Sequence, residues 1–301
     1  MPSETPTFLV TGKGGQVGFE LRRSLAPLGR VVALERARCD LADADMLRRV
    51  VREVRPDVIV NAAAYTAVDK AEADEATAFA INGTAPGILA EEAKALGAML
   101  VHYSTDYVFD GTKDAPYVET DTPAPRSVYG KSKLAGEQAV LAQGADAFVL
   151  RTSWVAGAYG GNFAKTMLRL VRERDALRVV ADQIGAPTTA ALIADVTAHI
   201  VRRHRAQTAP GGIYHLAAAG ETSWHGYAVE VLRCAQALGV ELKVLPDRVE
   251  GIATSDYPLP APRPANSRLN TQKLREAFGL HLPEWQGGVR HLIESILSRQ
   301  S

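Results

Sequence analysis

Thr7-Phe8-Leu9-Val10-Thr11-Gly12-Lys13-Gly14-Gly15-Gln16-Val17-Gly18 runs from a short apolar, β-branched segment into a glycine turn, and Val17, Leu21, Leu25 and Leu28 follow at helical spacing. The pattern is strand, turn, helix. Glycines at 12, 15 and 18 allow a tight turn whose backbone can approach a pyrophosphate held at a helix N-terminus. The alternation continues outward from there. Val31–Leu34 reads as a second strand, 43–55 as a helix capped near Asp43, and Val58–Asn61 as a third strand. A helix over 84–96, a strand over Met99–Ser104, a helix over 128–142 and a strand over Phe148–Arg151 complete the first half. Continuous apolar strands between helices predict an α/β fold, a doubly wound Rossmann-type parallel sheet covered on both faces.

Ligands of such sheets bind beyond the carboxyl ends of the strands. Candidate residues gather there: Gly12, Gly15, Gln16, Val17 and Gly18 after the first strand, Asn61 to Thr66 with Ala63 after the third, Ser104-Thr105-Asp106 after the fourth, and Thr152-Ser153-Trp154 after the fifth. The second strand ends in Glu35-Arg36-Ala37-Arg38. An acid there takes a ribose 2′-hydroxyl and an arginine takes a 2′-phosphate, so NADH and NADPH both stay open. Asp40-Leu41 stands where a carboxylate could accept an adenine amine or simply start the following helix.

Tyr129 and Lys133 lie four apart in Ser127-Val128-Tyr129-Gly130-Lys131-Ser132-Lys133, so a helix puts them on one face, with Lys131 elsewhere. A free phenol titrates at roughly 10. An ammonium ~5 Å away at an effective dielectric of ~20 favours the phenolate by about 3 kcal/mol, or roughly two pH units. The expectation is a phenol made acidic by Lys133.

Composition bounds the possibilities. The 301 residues are 47% hydrophobic and 23% charged, with 34 basic and 34 acidic side chains. There is no global field to draw nucleic acid or an anionic membrane. Cys39 and Cys234 match no metal spacing, and the seven histidines form no metal triad; no metal ligand is assigned. Met1 to Thr7 has neither the basic start nor the apolar run of a secretory signal, and no stretch approaches the ~20 apolar residues that span a bilayer. A cytoplasmic enzyme is expected.

The second half reads as a smaller α/β lobe. The glycines of 155–161 make a loop, and Asn162 caps a helix carrying Lys165, a candidate diphosphate site. Leu177–Val180 reads as a strand, 189–205 as a helix and Gly212–Leu216 as a strand returning to the sheet, with helices over 224–238, 271–278 and 285–297. The proline-rich stretch 257–264 precedes Asn266-Ser267-Arg268 and is read as a wall of the substrate pocket, with Arg268 or Arg263 facing a phosphate. Residues 1–155 with returning segments at 184–216 then form the dinucleotide domain, and 156–183 with 217–301 the substrate lobe.

With these residues placed, the chain resembles the extended short-chain dehydrogenase/reductases, and among them the dTDP-4-dehydrorhamnose reductase family, over nearly its whole length. The carriers are Gly12-x-x-Gly15-Gln16-Val17-Gly18, 60–69, 102–109, 128–137, Arg151-Thr152-Ser153-Trp154, 162–167, 182–188 and 263–269. The resemblance implies reduction of a dTDP-linked 4-keto-6-deoxy sugar by NADPH or NADH. Tyr129 is then the proton donor, Lys133 its activator, and Thr105 the group on the sugar oxygen; because side chains alternate along a strand, Thr105 is preferred to Ser104. Gly15, Gln16, Val17, Asp40, Leu41, Ala64, Tyr65 and Thr66 carry over as cofactor contacts, and Asp106 and Trp154 as sugar-nucleotide contacts. A magnesium-linked dimer through carboxylates is also implied. Glu20 fits that pattern, whereas Ala191 stands where an acid is expected, which counts against Mg2+ and leaves monomer and homodimer open. A 4,6-dehydratase would want an Asp-Glu pair after Thr105, yet Tyr107 follows Asp106. An epimerase, or a regulatory subunit of the same fold, is compatible with the same sheet.

Overall fold

Strand β1 (Thr7–Thr11) enters the glycine turn and leaves it as helix α1 (Gln16–Leu25). Gly18 belongs to the packing of that unit: a Cβ there would lie 2.1 Å from the Gly12 carbonyl oxygen, so only glycine lets the helix seat on the turn. The computed structural model describes residues 5–207 and 210–299. Met1–Glu4, 208–209 and 300–301, which fall within the predicted leader-free start and domain spans, lie outside the described residues.

The chain continues as β2 (Arg30–Leu34), α2 (Ala44–Val54), β3 (Val58–Asn61), the short α3 (Val68–Ala71) and α4 (Glu75–Phe79), then α5 (Ala85–Leu96), β4 (Met99–Thr105), α6 (Val128–Ala142) and β5 (Ala147–Thr152). Next come β6 (Val155–Ala156), α7 (Phe163–Glu173), β7 (Arg178–Val180), β8 (Ile184–Gly185), β9 (Thr188–Thr189), α8 (Ala190–Gln207) and β10 (Gly212–His215). Finally β11 (Thr222–Ser223), α9 (Trp224–Ala237), β12 (Glu250–Ile252), α10 (Gln272–Phe278) and α11 (Trp285–Leu297) close the chain. No described helix is long and apolar enough to cross a membrane.

Six strands pair in parallel in the order β10-β5-β4-β3-β1-β2. One face carries α1, α8 and α10 over a core that includes Leu21, Leu25, Ile193, Ile200 and Phe278; the other carries α2, α5 and α6 over Leu47, Val51, Leu89 and Val140. A separate core of Leu168, Val171, Tyr227, Val231, Val289 and Ile293 joins α7, α9 and α11. The helix starts follow local chemistry. Asp43 accepts from Met46 N (2.9 Å), Ser127 from Gly130 N (3.1 Å) and Asn162 from Lys165 N (3.1 Å), each satisfying a donor the helix itself leaves free.

Several details differ from the sequence reading. Helical backbone begins at Glu75 rather than Thr84, and a π-helical turn over Ala80–Thr84 joins it to α5. Helix α10 sits among residues assigned to the substrate lobe, yet Leu274 and Phe278 are buried in the core beneath β10 and α8. Strand β7 pairs in parallel with β12, for which the stretch Glu250–Ile252 gave no strand signal.

Candidate active site

A cleft of about 730 Å³ opens along the carboxyl ends of the sheet. At one end lies the glycine turn. Gly12 holds φ +70°, and a Cβ on it would meet Ala63 at 3.0 Å, so the turn and the β3 loop approach more closely than a side chain permits. Gly12, Gly15, Gln16 and Val17 line this end together with Asp40 and Leu41. The middle is walled by Ala63, Ala64, Tyr65 and Thr66, and the far end by Thr105, Asp106, Tyr129, Lys133 and Trp154. The glycine cradle suits a pyrophosphate and the elongated cleft suits a dinucleotide.

Other sequence candidates stand apart from the cleft. Gly18 is behind the turn, as described. Glu35 projects outward, 3.9 Å from Lys13 Nζ, while its neighbour Arg36 lines the cleft and donates to Asp40 (3.1 Å). Asn162 donates to the Gln16 side-chain oxygen (3.0 Å), which also accepts from Gly157 N (2.7 Å), so the glycine turn is tied to the loop that leads into α7. Lys165 Nζ turns back to the Gly160 carbonyl at 2.9 Å. Arg268 is held by Glu221, Asn266 and the Asp114 carbonyl, and Arg263 by Asp69 at 2.6 Å, with both arginines beside a second cavity of about 290 Å³. These three cations are already engaged within the chain. Glu20 pairs with Arg23 at 3.3 Å.

Helix α6 delivers Tyr129 and Lys133 into the far end. Gly130 makes this possible, because a Cβ there would lie 2.2 Å from the Tyr107 carbonyl oxygen. Asn82, in the π-helical turn, bridges the Tyr65 backbone (2.9 and 3.0 Å) to the Ser132 hydroxyl (3.1 Å) and fixes the helix against the cleft wall. Nothing in the alanine-rich sequence around Asn82 marks it out. Tyr129 and Thr105 line the same end of the cleft, and the Thr105 hydroxyl donates to Asp106 Oδ1 at 3.0 Å. Ser104 also lines the cleft, and its Oγ, with those of Thr152 (Oγ1) and Ser153, is buried with no hydrogen-bond partner among the described residues. Such orphaned hydroxyls beside a cleft are available to a polar ligand. Trp154 holds φ +49°, unusual for a bulky residue, and stacks on Trp224 at 3.8 Å over Gly185.

The electrostatics correct the expected role of Lys133. Its ammonium donates to the Tyr103 carbonyl (2.6 Å) and lies 3.4 Å from His102 Nε2, and burial pushes it down to about 8. Burial likewise pushes Tyr129 up to about 12. Desolvation outweighs the Coulomb attraction reckoned from spacing alone. Asp106, buried beneath Thr105, is pushed up to about 6 against the hydrogen bonds it accepts.

Deeper in the sheet, Arg151 makes a two-pronged buried pair with Glu137 (2.9 and 2.7 Å) and lies over Phe109. The neighbouring His215 is fully buried, and burial and the Arg151 charge push it down to about 3 from an ordinary 6.5. The native state therefore refuses a proton that the unfolded chain accepts. That stability is intact above pH 6.5 and is lost as pH falls toward 3, with a slope of up to about 1.4 kcal/mol per pH unit from this group. Urea unfolding at pH 7 and pH 5 checks it, and equal midpoints would contradict the assignment.

The fold and the cleft define a class: a dinucleotide-dependent reductase of the short-chain dehydrogenase type, with Tyr and Lys four apart on a helix beside a glycine turn. The family described as RmlD substrate binding domain matches residues 6–298, and the chain belongs to it. A dTDP-4-dehydrorhamnose reductase of Burkholderia thailandensis is 50% identical over 295 residues, covering 97% of this chain and 99% of the relative. One from Escherichia coli K12 is 47% identical over 294 residues, covering 96% and 98%. The crystal structure of dTDP-4-dehydrorhamnose reductase from Bacillus anthracis in complex with NADP superposes with a TM-score of 0.86 at 34% identity, covering 96% of this chain and 99% of that one.

Proposed function

We propose that this chain reduces dTDP-4-dehydro-L-rhamnose to dTDP-L-rhamnose with NADPH or NADH, the last step in making that nucleotide sugar. The observation that carries the proposal is the meeting of Thr105, Tyr129 and Lys133 at one end of a cleft whose other end is the glycine turn. The near full-length likeness to reductases of this name supports it.

A dinucleotide held along Gly12, Gly15, Gln16, Val17, Asp40 and Leu41 would, when bound, supply the hydride for carbon 4 of the sugar. The chain supplies the rest. Tyr129, protonated at neutral pH, gives its proton to the oxygen as negative charge develops there, and Thr105 holds that oxygen in place. Lys133 provides a nearby positive charge when protonated. Asp106 and the orphaned hydroxyls of Ser104 and Ser153 are read as contacts to sugar hydroxyls, and Trp154 as a wall of the sugar-nucleotide pocket. Gly12 to Val17, Asp40, Leu41 and Ala63 to Thr66 are read as the cofactor wall. Arg36 and Lys13 beside Glu35 fit a site that tolerates a 2′-phosphate. Residues 1–155 with 184–216 form the dinucleotide domain on this reading, and 156–183 with 217–301 the substrate lobe, α10 crossing between them. A cytoplasmic location fits a reaction between a nucleotide sugar and a reduced dinucleotide.

The test is consumption of NADPH or NADH on adding dTDP-4-dehydro-L-rhamnose, followed by loss of reduced-nicotinamide absorbance. Formation of dTDP-L-rhamnose in equal amount is expected. No oxidation with either dinucleotide would end the proposal.

A further inference from the structure

Thr11, Asn61 and His102 are direct lateral partners on β1, β3 and β4. The same row continues to Leu34 on β2 and Val149 on β5, so three polar side chains cross the middle of an otherwise apolar strip. All three are buried. Polar groups in such a place are tolerated only when bonded, and each of these is bonded to the next.

The order of donors and acceptors follows from the turn. Ala63 N–H donates to Thr11 Oγ1 at 3.1 Å, and the Thr11 hydroxyl in turn donates to Asn61 Oδ1 at 2.7 Å. Asn61 therefore directs its amide N–H to His102 Nδ1, 3.1 Å away. Burial keeps the imidazole neutral. A neutral imidazole has one N–H, and with Nδ1 accepting, that hydrogen is on Nε2. Nε2 lies 3.4 Å from Lys133 Nζ. Facing an ammonium, the pair is two donors pointed at each other; facing an amine, it is a hydrogen bond.

We propose that Thr11, Asn61 and His102 form a hydrogen-bonded rail that presents His102 Nε2–H to Lys133, making His102 a positioning residue that holds the lysine nitrogen and favours its uncharged amine. The proposal rests on the reading of Lys133 as a catalytic group. The titratable groups around that nitrogen are His102 on β4, Tyr129 and Glu137 one turn to either side on α6, and Arg151 of β5, which engages Glu137. Glu137 is the one that favours the ammonium, and the rail opposes it.

The test begins with the unaltered protein. Nitrogen-15 NMR of histidine-labelled enzyme is expected to show His102 protonated on Nε2 and bare on Nδ1. A hydrogen on Nδ1 overturns the proposal, since Lys133 would then be donating to the ring. In His102→Gln the new carbonyl can accept from the ammonium. The lysine ionisation in the pH profile of kcat/KM should then move up by about one pH unit, a tenfold change in proton concentration. A folded variant with an unmoved profile also overturns it, because a purely structural histidine would alter stability and leave the profile alone. Full activity in Lys133→Met, with the Nε2 hydrogen still present, would sink the catalytic reading of the lysine while leaving the rail intact.

Discussion

Tyr129→Phe is expected to lose about 10²- to 10⁴-fold in kcat, the usual contribution of general acid catalysis, with little change in folding stability. The substitution removes one oxygen. The ring keeps its edge contact with Tyr107 at 5.5 Å, and Thr105 keeps its bond to Asp106. Because burial pushes the phenol up to about 12, it is fully protonated at neutral pH and yields its proton only to a strong base such as a developing alkoxide. That suits the reducing direction. The measurement is steady-state reduction at saturating dinucleotide, paired with urea unfolding of both proteins. Near wild-type turnover by a folded Tyr129→Phe would remove the phenol from the mechanism.

Arg151→Met is expected to destabilise the fold by about 3–5 kcal/mol, because it leaves a buried carboxylate without its partner. Glu137 and Arg151 are each almost wholly inside, and both arms of the guanidinium contact with the carboxylate lie between α6 and β5. Replacing Glu137 by Leu as well should recover most of the loss, since a buried ion pair and an apolar pair of similar size are often nearly equivalent. Urea unfolding of the single and double variants decides it. A single variant within about 1 kcal/mol of wild type, the range of an exposed pair, would show that water reaches Glu137.

Much of this was legible in the sequence where chemistry is local. The glycine spacing of 12, 15 and 18 specifies a turn because only backbone conformation is at stake, and the apolar runs specify strands because both faces of the sheet are covered. Ser127, Asp43 and Asn162 announce helix starts by their own side chains. What escaped was long-range. Lys165 and Arg268 read as candidate phosphate contacts, and the partners they hold within the chain, the Gly160 carbonyl and Glu221, are set by how loops fold back. The acidity expected of Tyr129 failed for a related reason. Spacing along a helix gives the distance to Lys133 but says nothing of desolvation, which depends on everything packed around both groups. Asn82 and the burial of α10 beneath β10 depend in the same way on residues remote in the chain.

The position of β10 matters before the protein is complete. It supplies the outer edge of the sheet beside β5, yet it follows β5 only after β6, α7, β7, β8, β9 and α8. On the ribosome, a nascent chain that has already built β1 to β5 presents β5 as a bare strand edge until residue 215 emerges. Such an edge can pair with a neighbouring nascent copy. Translation that stalls within α8 would therefore leave a fragment in which that edge stays unpaired.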